Sequence, residues 1–194
     1  MLYNKDMKKG LLIVFSGLSG VGKGTILKQL MPMEDLNLAY SVSMTTRAPR
    51  EGEVEGVNYF FVTKKRFLEA IKNGELLEHA RFVGNDSGTP KQYVEEMREQ
   101  GKNVILEIEI KGAKQIMKKC PDALSIYIVP PSIEELERRL RERGTEDEET
   151  IMKRISKAKK EMKDTAFYEH VVCNDVLEVA VQEVREIILN EMNK

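Results

Sequence analysis

Apolar runs punctuate the chain: Leu11–Phe15, Val104–Ile110, Leu124–Val129 and the short His170–Cys173. They are close to continuous in Val, Ile and Leu rather than alternating. A strand that is apolar on both faces must be covered on both faces, so these runs predict a parallel sheet between helical layers. The intervening segments carry helical patterns, and crossovers between parallel strands are right-handed. The fold class read from this rhythm is α/β, three-layered, around a central parallel sheet.

Two stretches break the rhythm. Residues 41–100 open with Thr, Arg, Pro and Gly, then give a short β-like piece at Tyr59–Val62 and a helix with acidic and basic faces over Lys65–Asn73. This reads as an inserted subdomain. Residues 131–165 are densely charged and helical. Pro130-Pro131 blocks continuation of the preceding strand. Ser132-Ile-Glu-Glu135 has the spelling of a capping box, so a helix is expected there. Gly144 ends that helix, and Thr145-Glu-Asp-Glu148 can start a second. The expectation is one domain over 1–194, with a core of about 8–40, 101–130 and 166–194. Neither a repeat nor a long linker is visible.

Composition narrows the partners. The formal net charge of -1 provides no global drive toward nucleic acid or anionic lipid, so any polyanion must be gripped by a local basic cluster. The two cysteines are far apart and in no metal spacing, which fits a reducing compartment. Two histidines are too few for a zinc site. Leu11–Phe15 is too short for a signal-peptide core or a membrane span. A cytoplasmic protein without nucleic-acid or membrane partners is expected, with monomer and homo-oligomer both open.

The strongest local signal is Gly17-Leu18-Ser19-Gly20-Val21-Gly22-Lys23-Gly24-Thr25, directly after the first apolar run and before a helical pattern over Ile26–Met31. This is the context of a phosphate-binding P-loop. Glycines let successive N–H groups turn inward, the helix N-terminus adds partial positive charge, and Lys23 supplies a full one for the β- and γ-phosphates. Gly24 stands where a Ser or Thr hydroxyl usually meets Mg²⁺, so the metal is expected mainly on phosphates and water. Glu107 and Glu109, at i and i+2 in an apolar strand, share one face. A strand with one solvated face would explain them; so would a nearby metal or nucleotide base.

A P-loop fixes the donor and leaves the acceptor open. Ser41-Val-Ser-Met-Thr-Thr-Arg47-Ala-Pro-Arg50, Gly52–Phe60, Gly74-Glu-Leu-Leu-Glu78, Gly84-Asn85 with Gly88-Thr89, and Arg143-Gly-Thr145 decide it by order and spacing. Together with Gly17–Thr25 they make the chain resemble the guanylate kinase family from about Leu11 to Asn190. The resemblance implies a P-loop NTPase-type fold with a GMP-binding insertion at 41–100 and a helical lid at 131–165. It implies Mg²⁺-dependent transfer of the γ-phosphoryl group from ATP to GMP. It assigns Glu78 to guanine N1–H and N2–H₂ and Ser43 to O6, where the residues alone would read as a helix-end glutamate and a turn serine. It gives Arg47, Arg50 and Tyr59 to the GMP phosphate, with Thr89 and Glu109 as further GMP contacts. Glu107 would face the metal through water. Arg139, Arg143 and Arg154 would close over the ATP phosphates, and Asn174 would meet the adenine edge. Lys23, Arg47, Arg139 and Arg154 would carry catalysis. Ser87 stands where the family often has tyrosine, Glu109 where aspartate is common, and Leu18 where proline is usual. Two other readings stay open: a P-loop kinase for a different acceptor, disfavoured by the Ser43–Glu78 pairing, and a non-catalytic module of this family that binds protein ligands, disfavoured by the intact Lys23.

Overall fold

The computed structural model describes residues 8–82, 84–142, 144 and 147–194. In chain order the elements are β1 (Leu12–Gly17), α1 (Lys23–Leu30), β2 (Leu38–Tyr40), β3 (Ser43–Thr45), β4 (Tyr59–Phe61), α2 (Lys64–Lys72), β5 (Leu76–Phe82), β6 (Asn85–Pro90), α3 (Lys91–Glu99), β7 (Asn103–Glu107), α4 (Ile110–Lys119), β8 (Leu124–Val129), α5 (Ile133–Glu142), α6 (Glu148–Glu161), β9 (His170–Cys173) and α7 (Leu177–Met192). Short 3₁₀ turns follow α1 and α6.

One sheet has five strands in the order β2-β7-β1-β8-β9. The β2–β7 and β8–β9 pairs are parallel, in register from Leu38↔Asn103 and Ile126↔His170. Leu12, Ile13, Val14 and Phe15 on β1, and Ile126, Tyr127 and Ile128 on β8, are fully buried. That burial is why these runs do not alternate. The second sheet has four strands, β4-β3-β6-β5, with β3–β4 parallel and the other pairs antiparallel.

The chain forms two compact units. The first takes in residues up to Ile13, Asn37–Leu106 and Lys111–Ala123; the second takes in Val14–Leu36, Glu107–Ile110 and Leu124–Lys194. The first unit contains the four-stranded sheet, whose apolar cluster is Met44, Phe67, Ala70 and Leu76 backed by Phe60, Val62 and Ile71. In the second unit α7 packs on α1 and β9, and α5 packs on α6.

Helix starts follow local chemistry. The Thr63 hydroxyl accepts from the Arg66 N–H at 3.2 Å, and the Asp147 carboxylate from the Thr150 N–H at 2.7 Å, capping α2 and α6. Thr145, expected to open the second charged helix, lies outside the described residues. At α5 the Ser132 hydroxyl accepts from the Glu135 N–H at 3.1 Å. The reciprocal half of the box is absent among the described residues, because the Glu135 side chain takes hydrogen bonds from Arg138 and Arg139 instead.

One expected element is corrected. The run Val104–Ile110 is not a single strand: β7 stops at Glu107 and Ile110 opens α4. Ile110, Ala113 and Ile116 are buried at helical spacing, so Ile110 belongs to a helix face. Glu107 and Glu109 therefore do not share a strand face; Glu109 sits in the β7–α4 connection. Among the described residues no helix is long and apolar enough to cross a membrane.

Candidate functional site

The residues expected on the donor side lie in the second unit. β1 ends at Gly17, and the chain turns through residues with positive φ: 153° at Gly17, 91° at Gly20 and 98° at Gly22. At Gly20 and Gly22 an added Cβ would also collide, 2.6 Å from Leu140 Cδ2 and 2.6 Å from Asn174 Nδ2 respectively. Both conformation and space demand glycine there. Leu18 and Val21, by contrast, are fully buried and pin the loop. Gly22 is the N-cap of α1 and offers no side-chain cap; the Thr25 N–H closes the turn onto the Gly22 carbonyl at 3.0 Å, which leaves the helix N-terminus to the N–H groups before it. A Cβ at Gly24 would meet nothing within 4 Å; packing does not dictate the missing hydroxyl.

Lys23 folds back over the loop. Its ammonium donates to the Gly17 carbonyl at 2.8 Å and the Leu18 carbonyl at 3.1 Å. Burial pulls its pKa below the ordinary lysine value, and the Glu107 and Glu109 carboxylates pull it back up. Arg154 of α6 points its guanidinium at the Ser19 hydroxyl, 3.4 Å away. One helical turn on, Lys157 donates to Glu109 at 3.0 Å and lies 3.5 Å from Glu161.

Beside the loop is a cavity of about 370 Å³ lined by Gly20, Val21, Gly22, Thr25, Arg139 and Asn174, among others. The buried Asn174 amide donates to the Val21 carbonyl at 2.8 Å. Arg139 donates to the carbonyls of Asn174 at 2.8 Å and Asp175 at 3.3 Å, and to Glu135 at 2.7 Å. The structure thus brings Asn174, Arg139 and the P-loop glycines around one cavity. Arg143 lies outside the described residues.

Most of the residues expected on the acceptor side lie in the first unit. Its sheet register aligns chemistry across strands: Ser43 pairs with Tyr59, Met44 with Gly88, and Glu78 with Thr89. One step on from Met44↔Gly88, Ser43 falls level with Thr89. Tyr59, Ser43, Thr89 and Glu78 therefore form a row across β4, β3, β6 and β5. Glu78 is on a strand, where the residues alone suggested a helix end. It is buried, 4 % exposed, and its carboxylate accepts from the Thr89 hydroxyl at 2.8 Å. Burial raises its pKa; the Thr89 bond and the charge of Lys119 act against that rise.

Arg47 lies over the Tyr59 ring, 5.3 Å from its centroid. Its guanidinium forks onto Glu53 at 2.9 and 2.7 Å, and the Arg50 N–H donates to the same carboxylate at 2.7 Å. Glu53 presents two oxygens to Arg47 in the bidentate geometry that a phosphate would use. Ser87 turns its hydroxyl to Thr45 at 3.3 Å.

Sequence reasoning missed Glu53, Lys157 and Gly112. For Gly112 a signal existed: a buried glycine in the first turn of a helix that disfavours it. Glu53 and Lys157 read as ordinary solvated charge.

A glycine cradle between a buried parallel strand and a helix, with a lysine on its carbonyls, defines a P-loop nucleotide-binding α/β protein. Residues 9–191 match the family model described as guanylate kinase, and the chain belongs to the guanylate kinase family. It is 52 % identical over 183 residues to the guanylate kinase of Mesoplasma florum, spanning 94 % of this chain and 62 % of that protein. It is likewise 52 % identical over 182 residues to that of Mycoplasma mycoides subsp. mycoides SC, with 94 % and 61 % covered. The chain thus spans about three fifths of the length of these two relatives. The crystal structure of guanylate kinase from Anaplasma phagocytophilum superposes with a TM-score of 0.76 at 34 % identity, covering 96 % of this chain and 88 % of that one.

Proposed function

We propose that this chain transfers the γ-phosphoryl group of ATP to GMP, giving ADP and GDP. The observation that carries the reading is the row of Tyr59, Ser43, Thr89 and Glu78 across one sheet. A buried carboxylate accepts from guanine N1–H and N2–H₂ together, and a serine hydroxyl donates to O6. Adenine offers neither the N1–H nor the O6, so it would leave Glu78 desolvated and unpaired. Arg47, Arg50 and Tyr59 receive the GMP phosphate, which displaces Glu53 from the Arg47 fork. Glu109 is assigned as a further GMP contact.

On the donor side the N–H groups of Gly20, Gly22, Lys23 and Gly24, the Lys23 ammonium and the Thr25 hydroxyl bind the triphosphate, and Asn174 and Arg139 line the adenine cavity. In-line transfer needs little covalent chemistry from the protein; it needs positioning and positive charge where negative charge develops. Lys23, Arg47, Arg139 and Arg154 supply that charge. Water must be excluded during transfer, or ATP is hydrolysed. The donor set suits Mg²⁺: Glu107 and Thr25 are hard oxygen donors. Glu107, through water, together with the triphosphate oxygens would hold such a cation. Bound there, Mg²⁺ neutralises charge on the β- and γ-phosphates. The intact Lys23 cradle favours an enzyme over a non-catalytic binding module.

Product analysis tests this directly. ATP, GMP and Mg²⁺ with the protein should give ADP and GDP one for one, with little ADP when GMP is omitted. ADP accumulating without GDP contradicts the reading.

A further inference from the structure

We infer that Gly112 is a specificity-determining position: by lacking a side chain it makes the space in which the Glu78 carboxylate is held by Thr89. The inference rests on the guanine-binding role proposed for Glu78.

Gly112 is buried in the first turn of α4. Glycine weakens a helix relative to alanine, so a reason for it is needed there. The space around it supplies one. A Cβ at Gly112 would lie 2.4 Å from Glu78 Oε2, 3.0 Å from Cδ and 3.4 Å from Cγ. No backbone atom is among those nearest neighbours; the obstacle is the tip of one flexible side chain. The backbone at Gly112 does not have a positive φ either. Alanine is therefore acceptable to the helix and to the fold, and what must give is the Glu78 carboxylate.

That carboxylate has little freedom to give without losing its function. Oε1 accepts from the Thr89 hydroxyl at 2.8 Å, and Thr89 is itself fully buried. The Glu78 strand is further tied to α4, because Lys119 donates to the Leu77 carbonyl at 2.6 Å and Gln115 exchanges hydrogen bonds with the His79 backbone. Strand β5 and helix α4 are thus laced together on both sides of Glu78, with Gly112 opposite the carboxylate. Gly88 across the sheet has a different constraint: a Cβ there would meet the Glu78 backbone carbonyl at 2.8 Å, so it serves the strand pairing and not the carboxylate. The oxygens are aimed by Thr89 and Gly112, each retaining a lone pair for the edge of a base. Recognition by two parallel hydrogen bonds tolerates little rotation. Thr89 and Gly112 are accordingly positioning residues that act through Glu78.

The test compares wild type with Gly112→Ala, Thr89→Val and Thr89→Ser. The readouts are kcat/KM for GMP and for AMP at saturating ATP, KM for ATP, and the thermal midpoint. Gly112→Ala should cut the GMP/AMP preference at least about tenfold, the scale of one misaligned hydrogen bond. Its thermal midpoint should equal or exceed wild type, and KM for ATP should not move. A merely structural glycine would give the opposite pattern, with lost stability and unchanged selectivity. Thr89→Val should cut the same ratio and move the acid limb of the GMP pH profile upward, because the hydroxyl that favours the ionised carboxylate is gone; Thr89→Ser should restore both. Should Gly112→Ala not fold, the Thr89 pair decides. A folded Gly112→Ala with wild-type selectivity overturns the inference while leaving the function standing. A wild-type chain that does not phosphorylate GMP overturns the function, and the inference with it.

Discussion

Replacing Glu78 by Gln changes one charge and almost no volume, and it should trade function for stability. The wild-type carboxylate is 4 % exposed, and burial raises its pKa. Between the unfolded glutamate value of about 4.3 and the raised native value, the folded protein holds a proton that the unfolded chain has released. Stability therefore falls as pH rises through that window, and the deficit persists above it. Glutamine escapes it. Below the unfolded value Glu78→Gln should melt with wild type; at neutral pH it should melt higher. Each additional 1 kcal/mol would read as about 2–4 °C for a chain of this size. Catalysis should move the other way. Glutamine can still accept one hydrogen bond from guanine but turns an N–H toward the second donor. Losing one charge-assisted bond costs about 1.5–3 kcal/mol, or roughly 10- to 150-fold in kcat/KM for GMP. AMP turnover should not fall. Melting curves from pH 4 to 8 beside coupled-assay kinetics with both nucleotides read all of this. A variant that melts lower at neutral pH, or keeps wild-type kcat/KM for GMP, refutes the reasoning.

Two further substitutions probe the donor side. Lys23→Ala should lower kcat about 10²- to 10³-fold, the cost of removing one preorganised charge from a developing oxyanion; calorimetry should still find GMP bound, and loss of that binding in a folded variant would contradict the role of Lys23. Gly22→Ala should raise KM for ATP at least tenfold and lower the thermal midpoint, because φ of 98° strains alanine by about 1–3 kcal/mol and its Cβ evicts the Asn174 amide; unchanged ATP kinetics would show that the cradle tolerates a side chain.

The P-loop was legible because its determinants are contiguous: nine residues between one strand and one helix specify the conformation. Strand β8 was legible to the residue, since burial on both faces writes an unbroken apolar run; β9, where only Val172 is buried, was legible from its short apolar run between helical segments. Strand β6 was not. Asn85-Asp-Ser-Gly-Thr-Pro90 has the composition of a turn, and tertiary pairing with β3 and β5 overrides that preference. The run through Glu107 and Glu109 misled because an alternating strand pattern passes without punctuation into the buried face of α4. The residues around Glu78 were invisible for a different reason. Thr89 and Gly112 lie on separate elements, 11 and 34 positions along, and no local pattern connects them. Family resemblance supplied roles for Glu78 and Thr89; only the structure relates Gly112 to the carboxylate.

Selectivity for guanine in the acceptor is read from a coupled ADP-release assay across GMP, AMP, CMP and UMP at fixed ATP and Mg²⁺. If only guanine satisfies the buried polar groups around Glu78, kcat/KM for GMP should lie at least about 10²-fold above each of the others. Equal turnover of AMP, or no turnover of GMP, would contradict it.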